Sequence, residues 1–509
     1  MRSGISAFLS FFSRRLRVET FPVLFICTLL FPYTQTAYPA DLMDIYKLAR
    51  ENDATFQSEI YRHEASPEIY KQAFSEMLPV LGVDAFYQYS KHEIFDNEIE
   101  VYGDNLARYP SKGFDLVLTQ PVFKYSSMIR IRQAKEEVKR ADLEFEAAGQ
   151  DLILRVTESY LAVLEARDFL IFSQSEEEAI NLHFNLAKER YENGLAPVTD
   201  YHDAKARLAS IKTRRIRAEH SLEDALEGLA VITGKRIDSL KGIKFPVIKT
   251  DIYFNGTTEE EKPDGEDSGS GRQAPGISAQ FNSLIPRGME KYAGDTIPLI
   301  IPSPDNAEAW VSAAKKQNLD ILVKEKDVAV AREEIARQTS GHLPTVALVG
   351  RLNRDIEGGS LYGGGSDLER WEGALELKFP LFNGFSTSSK VREARLLLKA
   401  AEEELKKGIR VATRESKAAF FGIKSSIDNI KALKQAMISS QIALDGKKEG
   451  FKSGLFPSLA VTDAERDLYQ TKREYAKSQY EYIIYSLRLK NAVGLLKETD
   501  VEVINSWLE

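Results

Sequence analysis

The sequence predicts an α+β fold made of two tandem copies of one plan. Each copy has helices far longer than a globular domain needs and a pair of two-faced strands. The duplication is visible in three places. "MLPVLGVDAFYQYS" (77–90) returns as "HLPTVALVGRLNRD" (342–355), "LTQPVFKYSSMIRIRQA" (118–134) as "LKFPLFNGFSTSSKVREA" (377–394), and "ERYENGL" (189–195) as "EGFKSGL" (449–455). Repeats of this size decide the fold before any local reading does.

The helices come next. Residues 125–193 are 69 positions without proline and with Gly149 alone; residues 385–453 match that length, again without proline. At 1.5 Å per residue each would reach roughly 100 Å, against about 11 or 12 residues for a typical globular helix. Apolar positions recur at helical spacing, as in Leu152, Val156, Tyr160 and Val163, and such stripes have to be buried against other helices. The flanking helical stretches 41–77 and 198–233 would together cover one long helix, as would 304–341 and 458–493. The first repeat is therefore 41–250: helix 41–77, strands 78–121, long helix 125–193 and return helix 198–233. The second is 303–509: helix 304–341, strands 342–382, long helix 385–453 and return helix 458–493. Between them 251–302 is acidic and rich in Gly, Ser and Pro, a flexible link.

Residues 1–40 stand apart. Arg2, Arg14, Arg15 and Arg17 precede the apolar run 21–31 and a small-residue end, the pattern of a signal peptide. The run is too short to span a bilayer, which takes roughly 20 residues. The one cysteine, Cys27, lies in this segment, so the exported chain carries no disulfide. Losing the segment removes four arginines and one glutamate from 68 basic and 76 acidic side chains, leaving a net charge of −11. That excludes the basic footprint of a nucleic-acid binder.

The strands decide between water and lipid. Leu81, Val83, Ala85, Tyr87 and Tyr89 point one way, opposed by Gly82, Asp84, Gln88 and Ser90, with Phe86 as the exception. Trp371, Gly373, Leu375, Leu377, Phe379 and Leu381 likewise oppose Glu372, Glu376 and Lys378. A half-buried sheet of a soluble protein has this alternation, and so has an outer-membrane barrel. Helices too long to cover four strands, and the export signal, favour the barrel. Four strands cannot close, and lipid tolerates no open edge, so copies must share the barrel. Two chains would give eight strands filled by side chains; three would give a trimeric 12-stranded outer-membrane β-barrel with room for a pore.

At this point "LTQPVF", "RYENGLAPVTD", "LEGLAVITG" (226–234), "GHLPTVAL" (341–348), "FPLFNG" and "GFKSGL" come in an order and duplication that resembles the TolC family of outer-membrane efflux proteins. The resemblance implies a homotrimer in the outer membrane whose long helical hairpins form a periplasmic barrel. Its partners would be outer-membrane lipid, a periplasmic adaptor (membrane-fusion) protein and an inner-membrane transporter, in efflux or type I secretion. It would place Gly194, Leu195, Pro197, Gly454, Leu455 and Pro457 at hairpin tips where the adaptor docks; the simpler reading of each is turn chemistry. It implies a periplasmic gate at Asp463, Ala460, Thr199, Asp200, Phe451 and Phe456. Asp463 matches one of two acidic rings, whereas Ala460 stands where the family has the other. Asp463 also reads as an ordinary helix-start acid. Phe451 and Phe456 replace polar partners of the family gate, which predicts altered closure, with an apolar constriction as one form of it.

No catalytic set and no cofactor site is legible. The six histidines include no pair three or four apart, so no metal site is suggested. The acidic runs 176–178 and 402–404 read as solvated helix faces. The alternative to a duct is a periplasmic rod or adaptor protein without a pore.

Overall fold

The structure, a computed structural model, describes residues 39–93, 106–243, 299–360 and 364–508. The expected signal segment 1–40, except its last two residues, and the link 251–302, except its last four, lie outside the described residues. In chain order the elements are α1 (Leu42–Asn52), α2 (Ala54–Ser75), β1 (Val80–Glu93), β2 (Leu106–Phe123), α3 (Tyr125–Glu192) and α4 (Val198–Thr233). The second half follows with α5 (Ala307–Gln317), α6 (Leu319–Thr339), β3 (Thr345–Glu357), β4 (Ser366–Lys378), α7 (Ser386–Lys452), α8 (Ser458–Ala492) and α9 (Glu498–Asn505).

The two long helices, α3 of 68 residues and α7 of 67, form as read from the sequence. The helices that precede the strands do not run unbroken over 41–77 and 304–341. Each is split once, at Asp53 and at Asn318. Asp53 turns to extended geometry and its side chain accepts from the Phe56 amide at 3.0 Å; Asn318 does the same for the Ile321 amide at 3.0 Å. A short polar side chain that satisfies a free amide ends one helix and starts the next. Asp53 is also held by Arg155 at 2.8 Å. Burial pushes its carboxyl up, but the bonds from Arg155 and the Phe56 amide outweigh burial and hold it below the usual carboxylate range.

Antiparallel pairing joins α3 to α4 and α7 to α8, with α2 and α6 beside the long helices and α3 against α8. The core sits midway along the helices, where Tyr160, Leu164, Trp310, Ile423, Tyr482 and Ile483 meet. The final helix α9, absent from the sequence reading, closes this core with Val501 and Ile504. Its Asn505 carbonyl accepts from the Met43 amide at 3.0 Å, fastening the chain end to the first helix.

The four strands form one antiparallel sheet in the order β1-β2-β3-β4. Its register sorts the faces. Val83, Leu116, Leu352 and Trp371 line up across all four strands on one face. One residue on, Asp84, Asp115, Asn353 and Arg370 line up on the other. The apolar face has no cover: Val83 is 66% and Trp371 74% exposed. On the polar face Arg351 lies 3.6 Å from Asp115 and 3.7 Å from Glu372. Phe86, the exception to alternation, pairs with Gly113 and lies over it; a Cβ on Gly113 would come 2.9 Å from the ring. An aromatic covering a strand glycine is a known device for holding register. The expected alternation at Phe379 and Leu381 lies beyond β4, which ends at Lys378 ahead of Pro380. Proline cannot donate to the ladder. Among the described residues no helix is long and apolar enough to cross a membrane, which says nothing about the sheet.

Candidate channel entrance

The hairpin ends are built from two matching stops. At the end of α3 the Gly194 amide donates to Tyr191 O at 2.9 Å and the Leu195 amide to Arg190 O at 2.7 Å. At the end of α7 the Gly454 amide donates to Phe451 O at 3.1 Å and the Leu455 amide to Gly450 O at 2.7 Å. This is the Schellman closure, which needs a left-handed residue; Gly194 has φ 69° and Gly454 φ 79°. Pro197 and Pro457 stand as N-caps of α4 and α8, one position ahead of the first helical turn where proline is favoured. Between stop and restart Leu195 and Leu455 are 71% and 78% exposed. Gly454→Ala is expected to cost about 1 kcal/mol from the left-handed conformation alone. Thermal unfolding should drop by a few degrees, while alanine at Gly446, inside α7 with open space around it, should not lower it.

The expected gate residues take different environments. Thr199 and Asp200 are exposed on the first turn of α4, and Ala460 is half-buried on the first turn of α8. Asp463 is not a free acid: Arg207 of α4 donates to it at 2.7 Å, with Arg466 at 3.3 Å. Phe451 is half-buried between the hairpins, edge-on to His183 at 6.4 Å, with the Arg190 guanidinium 5.8 Å over its ring. Phe456 lies back over Gly450, in the space a Cβ there would need, and keeps about half its surface exposed.

Several polar ties join the first hairpin to α8, and three of them lie on the tip side of Asp168. Besides Arg207–Asp463 there is Glu176 of α3, 0% exposed. It accepts from Arg214 of α4 at 2.9 and 3.0 Å and from Arg473 of α8 at 2.8 Å. The reading of 176–178 as a solvated face is therefore corrected at Glu176: two guanidiniums pull the carboxylate into the helix contact and replace its water. Residues 403–404 are exposed as expected. The third tie is His183 of α3 with Glu465 of α8 at 3.4 Å, and Lys448 of α7 at 3.0 Å from the other Glu465 oxygen. None of these pairs has a local sequence signature, because the partners sit on different helices and up to 297 residues apart.

A sheet with an uncovered apolar face and open edges, set on helical hairpins with paired tips, defines a membrane duct that reaches far out of its bilayer. The chain belongs to the outer membrane efflux protein family, whose model matches residues 45–235 and 310–495. It is an outer-membrane channel protein and not an enzyme. The outer membrane protein TolC of Vibrio cholerae serotype O1 is 27% identical over 96% of this chain and 98% of its own length. The alkaline protease secretion protein AprF of Pseudomonas aeruginosa is 24% identical over 92% and 88%. Among solved structures, the Campylobacter jejuni CmeC outer membrane channel superimposes with a TM-score of 0.68 at 16% identity, over 92% of this chain and 90% of that one. The open-state Neisseria gonorrhoeae MtrE channel gives 0.62 at 17%, over 90% and 91%.

Proposed function

We propose that three copies of this chain form the outer-membrane duct of a tripartite efflux or type I secretion assembly. The observation that carries the reading is the sheet: one face apolar and uncovered, the other charged, and an unpaired strand at either edge. Edges that cannot stay open in lipid pair β4 of one copy with β1 of the next. Three copies give twelve strands and a pore lined by the polar face, where two would give a filled barrel. The hairpins then form a helical tunnel across the periplasm, and its entrance lies at the tips.

The tip residues Gly194, Leu195, Pro197, Gly454, Leu455 and Pro457 offer exposed leucines on rigid turns, a surface for the periplasmic adaptor that links the duct to an inner-membrane pump. Relatives named for protease, pyoverdine and cation cargo are not separated by anything in the fold, so the pump selects the cargo. Asp463, Ala460, Thr199, Asp200, Phe451 and Phe456 surround the entrance. With Ala460 in place of a second acid, the Arg207–Asp463 pair supports closure. Of the two phenylalanines, Phe456 keeps the exposure that an apolar constriction needs.

Single-channel recording in planar bilayers tests this. The purified protein should give a small, cation-selective conductance. Arg207→Ala and Asp463→Asn both break the same half-exposed pair, worth less than about 1 kcal/mol, and both should raise conductance about twofold to fivefold. Only Asp463→Asn should reduce cation selectivity, since it alone removes an acid. Recovery of the chain from the periplasm without detergent, with no conductance, would point to a soluble rod instead.

A further inference from the structure

His183 and Glu465 are buried at the hairpin contact, 7% and 2% exposed. Within this pocket His183 Nδ1 and Glu465 Oε2 are both shielded from water and without a hydrogen-bond partner, although His183 Nε2 lies only 3.4 Å from that same Oε2. Around the imidazole, α8 contributes Glu465, and α7 contributes the Phe451 ring and Lys448, which lies 3.0 Å from the far oxygen of Glu465. On α3 itself Arg190 stands over Phe451. The other charged groups of this contact are taken: Glu176 by Arg214 and Arg473, and Arg207 of α4 by Asp463.

Glu176 shows what this fold does with a buried carboxylate at the hairpin contact: it places two cations on it, from two different helices. Glu465 repeats the arrangement with one permanent cation, Lys448, and one group that is a cation only when protonated, His183. We propose that His183 and Glu465 form a proton-operated latch between the two hairpins, fastening α3 to α8 when the periplasm is acidic and releasing them when it is neutral or alkaline. This rests on the duct reading and adds a regulatory input to its entrance.

The sign follows from the charges. Imidazole is the side chain that ordinarily changes charge between pH 5 and 8. Once protonated, an imidazolium here meets the unpartnered oxygen of Glu465, and a charge-assisted bond replaces a loose contact. Burial pushes the Glu465 carboxyl up, but the nearby His183 and the Lys448 ammonium outweigh it and keep it below the usual range. Its contribution is therefore present above the ordinary carboxylate pKa and lost only as pH falls through a still lower value. Glu465 therefore stays ionised between pH 8 and pH 5.5, which leaves the charge of the imidazole as the variable of the pair. Opposing the latch, Lys448 and Arg190 repel the new charge.

The test is single-channel conductance of the full chain in planar bilayers at pH 8 and pH 5.5, with His183→Gln and Glu465→Gln beside the parent. The expected result is a fall of about fivefold in the parent on acidification, the low end of coupling between distant groups. Both variants should keep the pH 8 conductance of the parent and lose the fall on acidification. A parent with no step in this window, or variants that keep the step, would overturn the latch while leaving the duct intact. A parent silent at both pH values would instead count against the duct reading. Should Glu465→Gln assemble poorly, His183→Gln alone decides, since it leaves Lys448–Glu465 paired.

Discussion

Val83→Arg is expected to cost up to about 2–4 kcal/mol of membrane assembly, the most that a cation on the lipid face costs. Asp84→Arg, one residue along the same strand, should cost nothing comparable. The register gives the reason: Val83 lies in an apolar row with Leu116, Leu352 and Trp371, whereas Asp84 directly opposes Asp115 on the polar face. Two like charges opposite each other are unfavourable, so arginine at 84 relieves one conflict. The contrast is informative because Val83 is 66% exposed. On a soluble protein a charge at so open a site would be tolerated within about 0.5 kcal/mol. Folding yield into lipid vesicles, scored by urea titration, separates the two cases. Equal yields for both variants would remove the sheet from the membrane.

Glu176→Gln is expected to cost about 3 kcal/mol, because it strands the Arg473 guanidinium, 13% exposed, without its carboxylate, while Arg214, 31% exposed, can turn to water. Arg214 and Arg473 come from different helices, so the loss should loosen the first hairpin from α8 as well as lower the thermal midpoint. Replacing all three residues by apolar ones of similar size should restore most of the stability, since a buried triad gains little over good packing. Circular dichroism melting of the detergent-solubilised protein checks both statements. A midpoint unchanged in Glu176→Gln would mean that water reaches the triad, and the tie would lose its weight.

Much of this architecture was legible in the residues. The helix stops at Gly194 and Gly454, the long helices and the strand faces follow from local chemistry repeated twice, and the structure shows each of them. The breaks at Asp53 and Asn318 were present as signals too: each is a capping residue followed by a fresh helical stretch. A single Asp or Asn within a helical stretch is equally compatible with one continuous helix, so the break shows only in the packing. Helix α9 was missed because its apolar face is short and has meaning only against a core built by other segments. The charge ties were not legible at all. Arg207 with Asp463, or Glu176 with Arg473, are pairs that only the packing of α3 and α4 on α8 creates. Glu176 even misled, since a run of three glutamates looks solvated until two arginines arrive from elsewhere.

The two hairpins are alike in shape and unlike in charge. By the offset that aligns Gly194 with Gly454, the tie residues Glu176, His183 and Arg207 correspond to Ala436, Ala443 and Asp467. The second copy keeps the turn but not these groups: two are alanines, and Asp467 reverses the charge of Arg207 and pairs with its neighbour Arg466. The second copy's own tie residues, Asp463, Glu465 and Arg473, stand elsewhere on α8. In a ring of three such chains the tips would trace a nearly sixfold outline, while the energetics that hold them stay threefold. Duplication thus supplies a regular aperture, and divergence within the duplicate breaks its symmetry, so that neighbouring tips alternate between two chemically different kinds.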